Sequence, residues 1–163
     1  MHPILFSTNY ETLLERILAG AAVFPAVGEA VCAAPGQGCH WNGVPCRVSA
    51  VARLADATVL ATDERFPSRA PWRAAWRELA RQASIARTWG DCYGYLLVAS
   101  GRAEVMVDPV LSPWDAAPLQ PIIEEAGGVF SNWYGRREGL VSDAIATNRA
   151  LAAEVRRILG AAD

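Results

Sequence analysis

Lysine is absent from this chain: its fifteen basic residues are all Arg, and with seventeen acidic residues the formal charge at pH 7 is -2. Without surplus positive charge the sequence lacks the footprint of a polyanion binder, so nucleic acid and anionic membrane are not expected partners. Histidine is scarce as well. Only His2 and His40 are present, which leaves a cysteine nucleophile few bases to work with. The four cysteines, Cys32, Cys39, Cys46 and Cys92, form neither paired C-x-x-C words nor a dense disulfide framework, and reduced thiols in a cytoplasmic protein are expected. Long apolar runs are also lacking. The stretch from Ile17 to Val27 is too short for a bilayer and is broken up by Pro25 and then Glu29. No basic residue precedes it before Arg16, so a secretory signal is not expected.

What remains is 163 residues, 52% hydrophobic, with six Trp and no low-complexity tract or internal repeat, the composition of one compact domain with an ordinary core. Glu29 to Asn42-Gly43 reads as two strands joined at Gly36-Gln37-Gly38, followed by a second tight turn. Thr58 to Thr62 is a further β-type run. Pro71 to Ala83 places Trp72, Trp76, Leu79 and Ala83 on one helical face. Ile85 to Trp89 is a short strand. Cys92 to Ser100 is apolar almost all round and reads as a buried helix closed by Gly101. Ala103 to Val107 is a strand stopped by Asp108-Pro109. Trp114 to Ala126 reads as a surface helix with Pro118 in its first turn, Pro121 bending it, and Glu124 and Glu125 solvated. Val129 to Asn132 and Asp143 to Thr147 are short strands, and Asn148 caps a last helix carrying Leu151, Val155 and Leu159 inward. Strands and helices thus interleave, and an α/β layered fold is expected.

The chemistry concentrates between Gly90 and Gly128. Asp108 ends a strand and Asp115 sits in the first turn of the next helix, where the helix dipole favours a carboxylate. Two acids facing one crevice suit a hard cation or a polar substrate, although capping alone accounts for an Asp at a helix start. Asp91 has the same two readings.

The word Trp-Asp-x-Ala-x-x-x-x-Ile-x-x-Glu-Ala-Gly-Gly, running from Trp114 to Gly128, resembles the carboxyl-terminal signature of the inositol-monophosphatase superfamily. The hairpin up to Asn42-Gly43, Ser49, and Asp143-Ala-Ile-Ala-Thr-Asn148 extend the resemblance in order across residues 22 to 160, leaving 1–21 as a poorly matched segment before the 22–163 portion. The fold it implies is the layered α/β sandwich of that superfamily, carboxyl-terminal half, with a mixed sheet flanked by helices. Arg87-Thr-Trp-Gly90-Asp91-Cys-Tyr93-Gly94-Tyr95, with Gly101-Arg102-Ala-Glu104 after it, resembles the histidinol-phosphatase branch. The resemblance implies a phosphate monoester hydrolase with Mg²⁺ as cofactor and Asp115 as metal ligand. It places Gly90, Asp91, Cys92, Arg102 and Asp108 at the substrate, histidinol phosphate, whose amine and imidazole suit carboxylates.

The family's upstream Glu and its Asp-Pro-Ile-Asp-Gly-Thr loop have no counterpart in these 163 residues. Met1 to Gly20 holds only Glu11 and Glu15 as acids, on what reads as a short amphipathic helix. Because Mg²⁺ dehydrates reluctantly and wants several ligands, the chain is expected to be a shortened relative, weakly active or inactive alone, with its catalytic residues unknown. The alternatives are a phosphatase of another substrate in the same superfamily, or a non-catalytic interaction module that pairs with a second copy or a full-length relative.

Overall fold

The computed structural model describes residues 4–5, 19–66, 70–135 and 141–161, so the segment expected to carry Glu11 and Glu15 lies outside the described residues. Within them the chain forms two five-stranded sheets. The first holds β1 (Ile4–Leu5), β2 (Gly20–Phe24), β3 (Glu29–Ala34), β4 (Gly38–Trp41) and β5 (Val44–Cys46) in sequential, antiparallel order. Asn42 (φ 48°) and Gly43 (φ 79°) both take left-handed backbone, which is what a two-residue hairpin turn requires and why Asn-Gly was a sufficient signal.

The second sheet holds β6 (Thr58–Ala61), β7 (Ile85–Thr88), β8 (Val105–Asp108), β9 (Val129–Ser131) and β10 (Ala144–Thr147) in the order β7-β6-β8-β10-β9. β6 runs parallel to β7 and β8, while β10 is antiparallel to β8 and β9. The parallel strands are joined through helices α1 (Ala70–Gln82) and α2 (Tyr93–Ala99); α3 (Pro113–Glu125) follows β8, and α4 (Ala152–Leu159) closes the chain. This is the mixed sheet flanked by helices that the family resemblance implies, with the α/β layering expected from the interleaved pattern.

Two cores separate the layers. Val59, Ala61, Val105, Val107 and Ile145 point to one face of the second sheet, where Trp76 and Leu79 of α1 and Val155 and Leu159 of α4 cover them. Leu60, Met106, Ala144 and Ala146 point to the other, toward α2 and α3. Beyond those helices lies the first sheet, contributing Ala22, Phe24, Val31, Ala33 and Cys39. The order of layers is therefore sheet, helices α2 and α3, sheet, helices α1 and α4.

Two expectations about α3 are corrected. It is no surface helix, since it packs on β2, β3 and β4 on one side and on β9, β10 and α2 on the other. It also begins at Pro113, two residues ahead of Asp115, because proline's fixed φ suits the first helical position. Pro118 consequently lies beyond the first turn, and the helix runs on through both Pro118 and Pro121, held by burial against two sheets rather than by propensity. The contact is close: a Cβ on Gly20 of β2 would stand 2.0 Å from the Pro118 carbonyl oxygen. Glu125 is likewise not solvated and free. Its carboxylate accepts from the Gly36 and Gly38 amides at 2.8 and 2.9 Å, clasping the β3–β4 turn to the end of α3.

Candidate active site

Because β6, β7 and β8 are parallel, their carboxyl ends meet along one edge of the second sheet, the place where open α/β sheets bind ligands. Strand alternation decides which side chains turn toward α2 and α3. With Val59 and Ala61 on the α1 side and Leu60 on the other, Thr62 follows Leu60. By the same count Asp108 follows Met106. Both therefore face the helix layer. Asp91 lies in the turn from β7 into α2, exposed and with φ 55°, a left-handed conformation that Asp tolerates better than most residues. Asp115 stands in the first turn of α3, half-buried.

The residues at the amino-terminal caps of α2 and α3 are Cys92 and Ser112. Asp91 precedes the first cap, and Asp115, three residues past Ser112, interacts with that serine's side chain, the spacing of a capping box.

The electrostatics shows that the acids share a space. Asp108 is 2% exposed, and its carboxyl is pushed up to about 6, chiefly by burial and further by the charge of Asp91; Thr62 and Tyr95 act in the opposite sense. The Tyr95 hydroxyl donates to Asp108 Oδ2 at 2.8 Å. The Thr62 hydroxyl, buried beside Asp108, is the larger of the two influences that hold that carboxyl down. Asp115 is also raised, first by burial and then by Asp91, with Ser112 lowering it. Among the described residues no guanidinium figures in the groups that shift Asp108 or Asp115. Cys92 lies in the core below, its thiol pushed up to about 12 by burial and by the negative charges of Asp91, Asp115 and Asp108. It stays protonated at neutral pH and is a poor nucleophile. Gly90 faces open space.

Arg102 is engaged elsewhere. Its guanidinium donates to Glu29 Oε2 at 2.9 Å and lies 4.3 Å from the centroid of Trp41. Glu29 also accepts from Trp41 Nε1 and from the Tyr93 hydroxyl, each at 3.1 Å. The cluster braces α2, two residues past Asp91, against the first sheet. Sequence reasoning missed Glu29, which carries no local signal beyond its place at the start of a strand; only the packing of α2 and the turn after it on the first sheet gives it Tyr93 and Arg102.

Comparison with known proteins fixes the lineage of this arrangement. The sequence profile of the inositol monophosphatase family matches residues 13–161. The chain belongs to that family. It is 45% identical over 141 residues to the histidinol-phosphatase of Chlorobaculum parvum, covering 83% of this chain and 54% of that one. It is 31% identical over 115 residues to the Nus factor SuhB of Escherichia coli, covering 68% of this chain and 43% of that one. In structure it is similar to the extragenic suppressor protein SuhB of Bartonella henselae, with a TM-score of 0.81 at 27% identity over 88% of this chain and 57% of that one. The chain thus spans about half the length of the relatives it matches.

Asp115 is partly exposed, and the charge of Asp91 lies near enough to raise it. Yet among the described residues no three His, Cys, Asp or Glu side chains gather closely enough to hold a metal ion. The residues present fit one edge of a metal site and not a whole one, and they support no catalytic step through an ion by themselves. No helix among the described residues is long and apolar enough to cross a membrane.

Proposed function

We propose that this chain supplies the substrate-selecting portion of a cytoplasmic phosphate monoester hydrolase of the histidinol-phosphatase branch, acting on histidinol phosphate with Mg²⁺. The observation that carries the reading is the convergence of Asp91, Asp108 and Asp115 at the carboxyl ends of the parallel strands, where the charge of Asp91 acts on both of the other carboxyls. Such a grouping of carboxylates favours a cationic organic group. Asp108, ionised above about pH 6, accepts from an ammonium or imidazolium, and Asp91 guards the entrance. Asp115 offers the cation ligand, and Gly90 and Cys92 shape the turn that presents Asp91. Arg102 acts through Glu29 and Tyr93 on the position of α2.

The similarity to a histidinol-phosphatase at 45% identity supports the same substrate class. Binding of histidinol, the dephosphorylated product, to the purified chain tests it. Chemical-shift changes or calorimetric heat are expected at pH 8, lost in Asp108→Asn, and absent with myo-inositol. Equal binding of myo-inositol overturns the preference for an amine. Phosphate release from histidinol phosphate with Mg²⁺ tests completeness. None above background is expected; turnover that Asp115→Asn abolishes shows instead that the described carboxylates suffice.

A second reading, a non-catalytic interaction module, draws on the incomplete cation site among the described residues and on the similarity to a Nus factor. A compact monomer on size exclusion counts against it.

A further inference from the structure

The Asn42-Gly43 turn folds β4 onto β5 so that Cys39 and Cys46 are direct cross-strand partners. Opposed residues of an antiparallel pair hold their Cα atoms about 4.5–5.5 Å apart, within the roughly 4.4–6.8 Å that a disulfide spans. The two side chains share a face, and their Sγ atoms lie 3.5 Å apart. Side-chain rotation alone can close that gap.

The other two thiols are placed differently. Cys32 is exposed and pairs across the sheet with His40, so alternation along β4 puts it on the face opposite Cys39. Cys92 is buried under the carboxylates of the candidate site. Cys39 is buried but Cys46 only partly so, which gives the pair one sulfur that a small oxidant can reach and one that waits beside it.

We propose that Cys39 and Cys46 form a redox-active dithiol that closes to an intramolecular disulfide when it meets hydrogen peroxide. In the first step the Cys46 thiolate attacks one peroxide oxygen and the O–O bond breaks; hydroxide leaves, takes up a proton as water, and Cys46 becomes a sulfenic acid. In the second the Cys39 sulfur attacks Cys46 Sγ, the S–O bond breaks, and the departing hydroxide takes the Cys39 proton as a second water. Two thiols are oxidised by two electrons and one peroxide is reduced to two waters. Burial holds both thiols above their ordinary range, so closure is slow at neutral pH and quickens as pH rises; at Cys46 the Cys39 thiol and, less strongly, the Arg102 charge act in the opposite sense. The hairpin is also linked to the candidate site, since Trp41 on β4 holds the Glu29 carboxylate that Tyr93 and Arg102 share.

The test is peroxide treatment of the reduced, purified full chain, followed by alkylation, proteolysis and mass spectrometry. The number of alkylatable thiols is expected to fall from the four in the sequence by two, with a Cys39–Cys46 linked peptide that has lost two hydrogens and is recovered by dithiothreitol. Cys32→Ser and Cys92→Ser should retain the link; Cys46→Ala and Cys39→Ser should abolish it. Circular dichroism of the wild-type chain before and after oxidation shows whether the bridge forms in the folded protein, independently of how the variants fold. The proposal is overturned if Cys39 and Cys46 both stay alkylatable while Cys32 is modified, if the bond joins Cys32 or a second chain, or if Cys46 proceeds alone to the sulfinic acid.

Discussion

The sheet β1–β5 is joined by hairpins where its connections are described, whereas the parallel strands of the sheet β6–β10 are joined by helices, and the difference decides where each places its chemistry. In the first sheet neighbours in sequence are neighbours in space, so its notable contacts, the Asn42-Gly43 turn and the paired Cys39 and Cys46, are local. In the second, parallel strands with helical crossovers bring Thr62, Asp91 and Asp108 to one edge from positions far apart in the chain. The acids of the two regions also differ in kind. Glu29 is held below its ordinary value, first by its hydrogen bond from Arg102, while Asp108 is held above it by burial. One region uses a carboxylate as a brace, the other keeps one poised.

The sharpest way to break the comparison is Gly20→Ala, which drives a Cβ to 2.0 Å from the Pro118 backbone oxygen. Separating the first sheet from α3 should cost more than about 3 kcal/mol, read as a fallen urea midpoint; an unchanged midpoint would mean that the layers are not tightly joined. Asp108→Asn should act in the opposite direction. Since Asp108 titrates at about 6 against 3.8 for an ordinary Asp, the folded state binds its proton more tightly, and stability falls as pH rises between those values. The variant should gain on the order of 2–3 kcal/mol at pH 8 and almost nothing near pH 4, measured by urea unfolding at the two pH values.

Glu125→Ala removes the acceptor of two backbone amides in the β3–β4 turn and should cost about 1–2 kcal/mol, with faster hydrogen exchange at Gly36 and Gly38. Glu29→Gln should cost about 1 kcal/mol at pH 7, discounted for the 32% exposure of its Arg102 partner. Because Glu29 is depressed below 4.5, that penalty should shrink as pH falls through its folded value, the reverse of the trend at Asp108. The smallest effect belongs to Arg65→Ala. Its pair with Asp63 is a surface ion pair in which the Arg65 side chain is 82% exposed, and no shift of the unfolding midpoint is expected.

Much of the fold was legible. Trp76 and Leu79 on α1, and Leu151, Val155 and Leu159 at the end of the chain, were assigned inward from spacing alone and are buried, since helical period and core face are local properties. The expected cap at Asn148 is displaced: the amino-terminal cap of α4 is Leu151, and Asn148 Oδ1 instead accepts from the Leu151 amide at 2.9 Å, closing the turn that leads into the helix. The errors fell where a second layer intervenes. Glu125 reads as a solvated helix end until the β3–β4 turn is laid against it, and α3 reads as a surface helix until both sheets are in place. Asp91 and Asp115 were divided between capping and chemistry, and no spacing rule separates the two.

By itself, the sequence determined the elements, the hairpin turns, the inward faces of α1 and α4, and a family word that survives at 45% identity to a histidinol-phosphatase. These follow from backbone geometry, side-chain period and shared ancestry. Only the tertiary structure decided that Asp108 is buried and poised near pH 6, that Arg102 turns to Glu29, and that Glu125 clasps a distant turn. Desolvation and ion pairing depend on what packs alongside, and for these residues the partners come from 13 to 89 positions away in the chain.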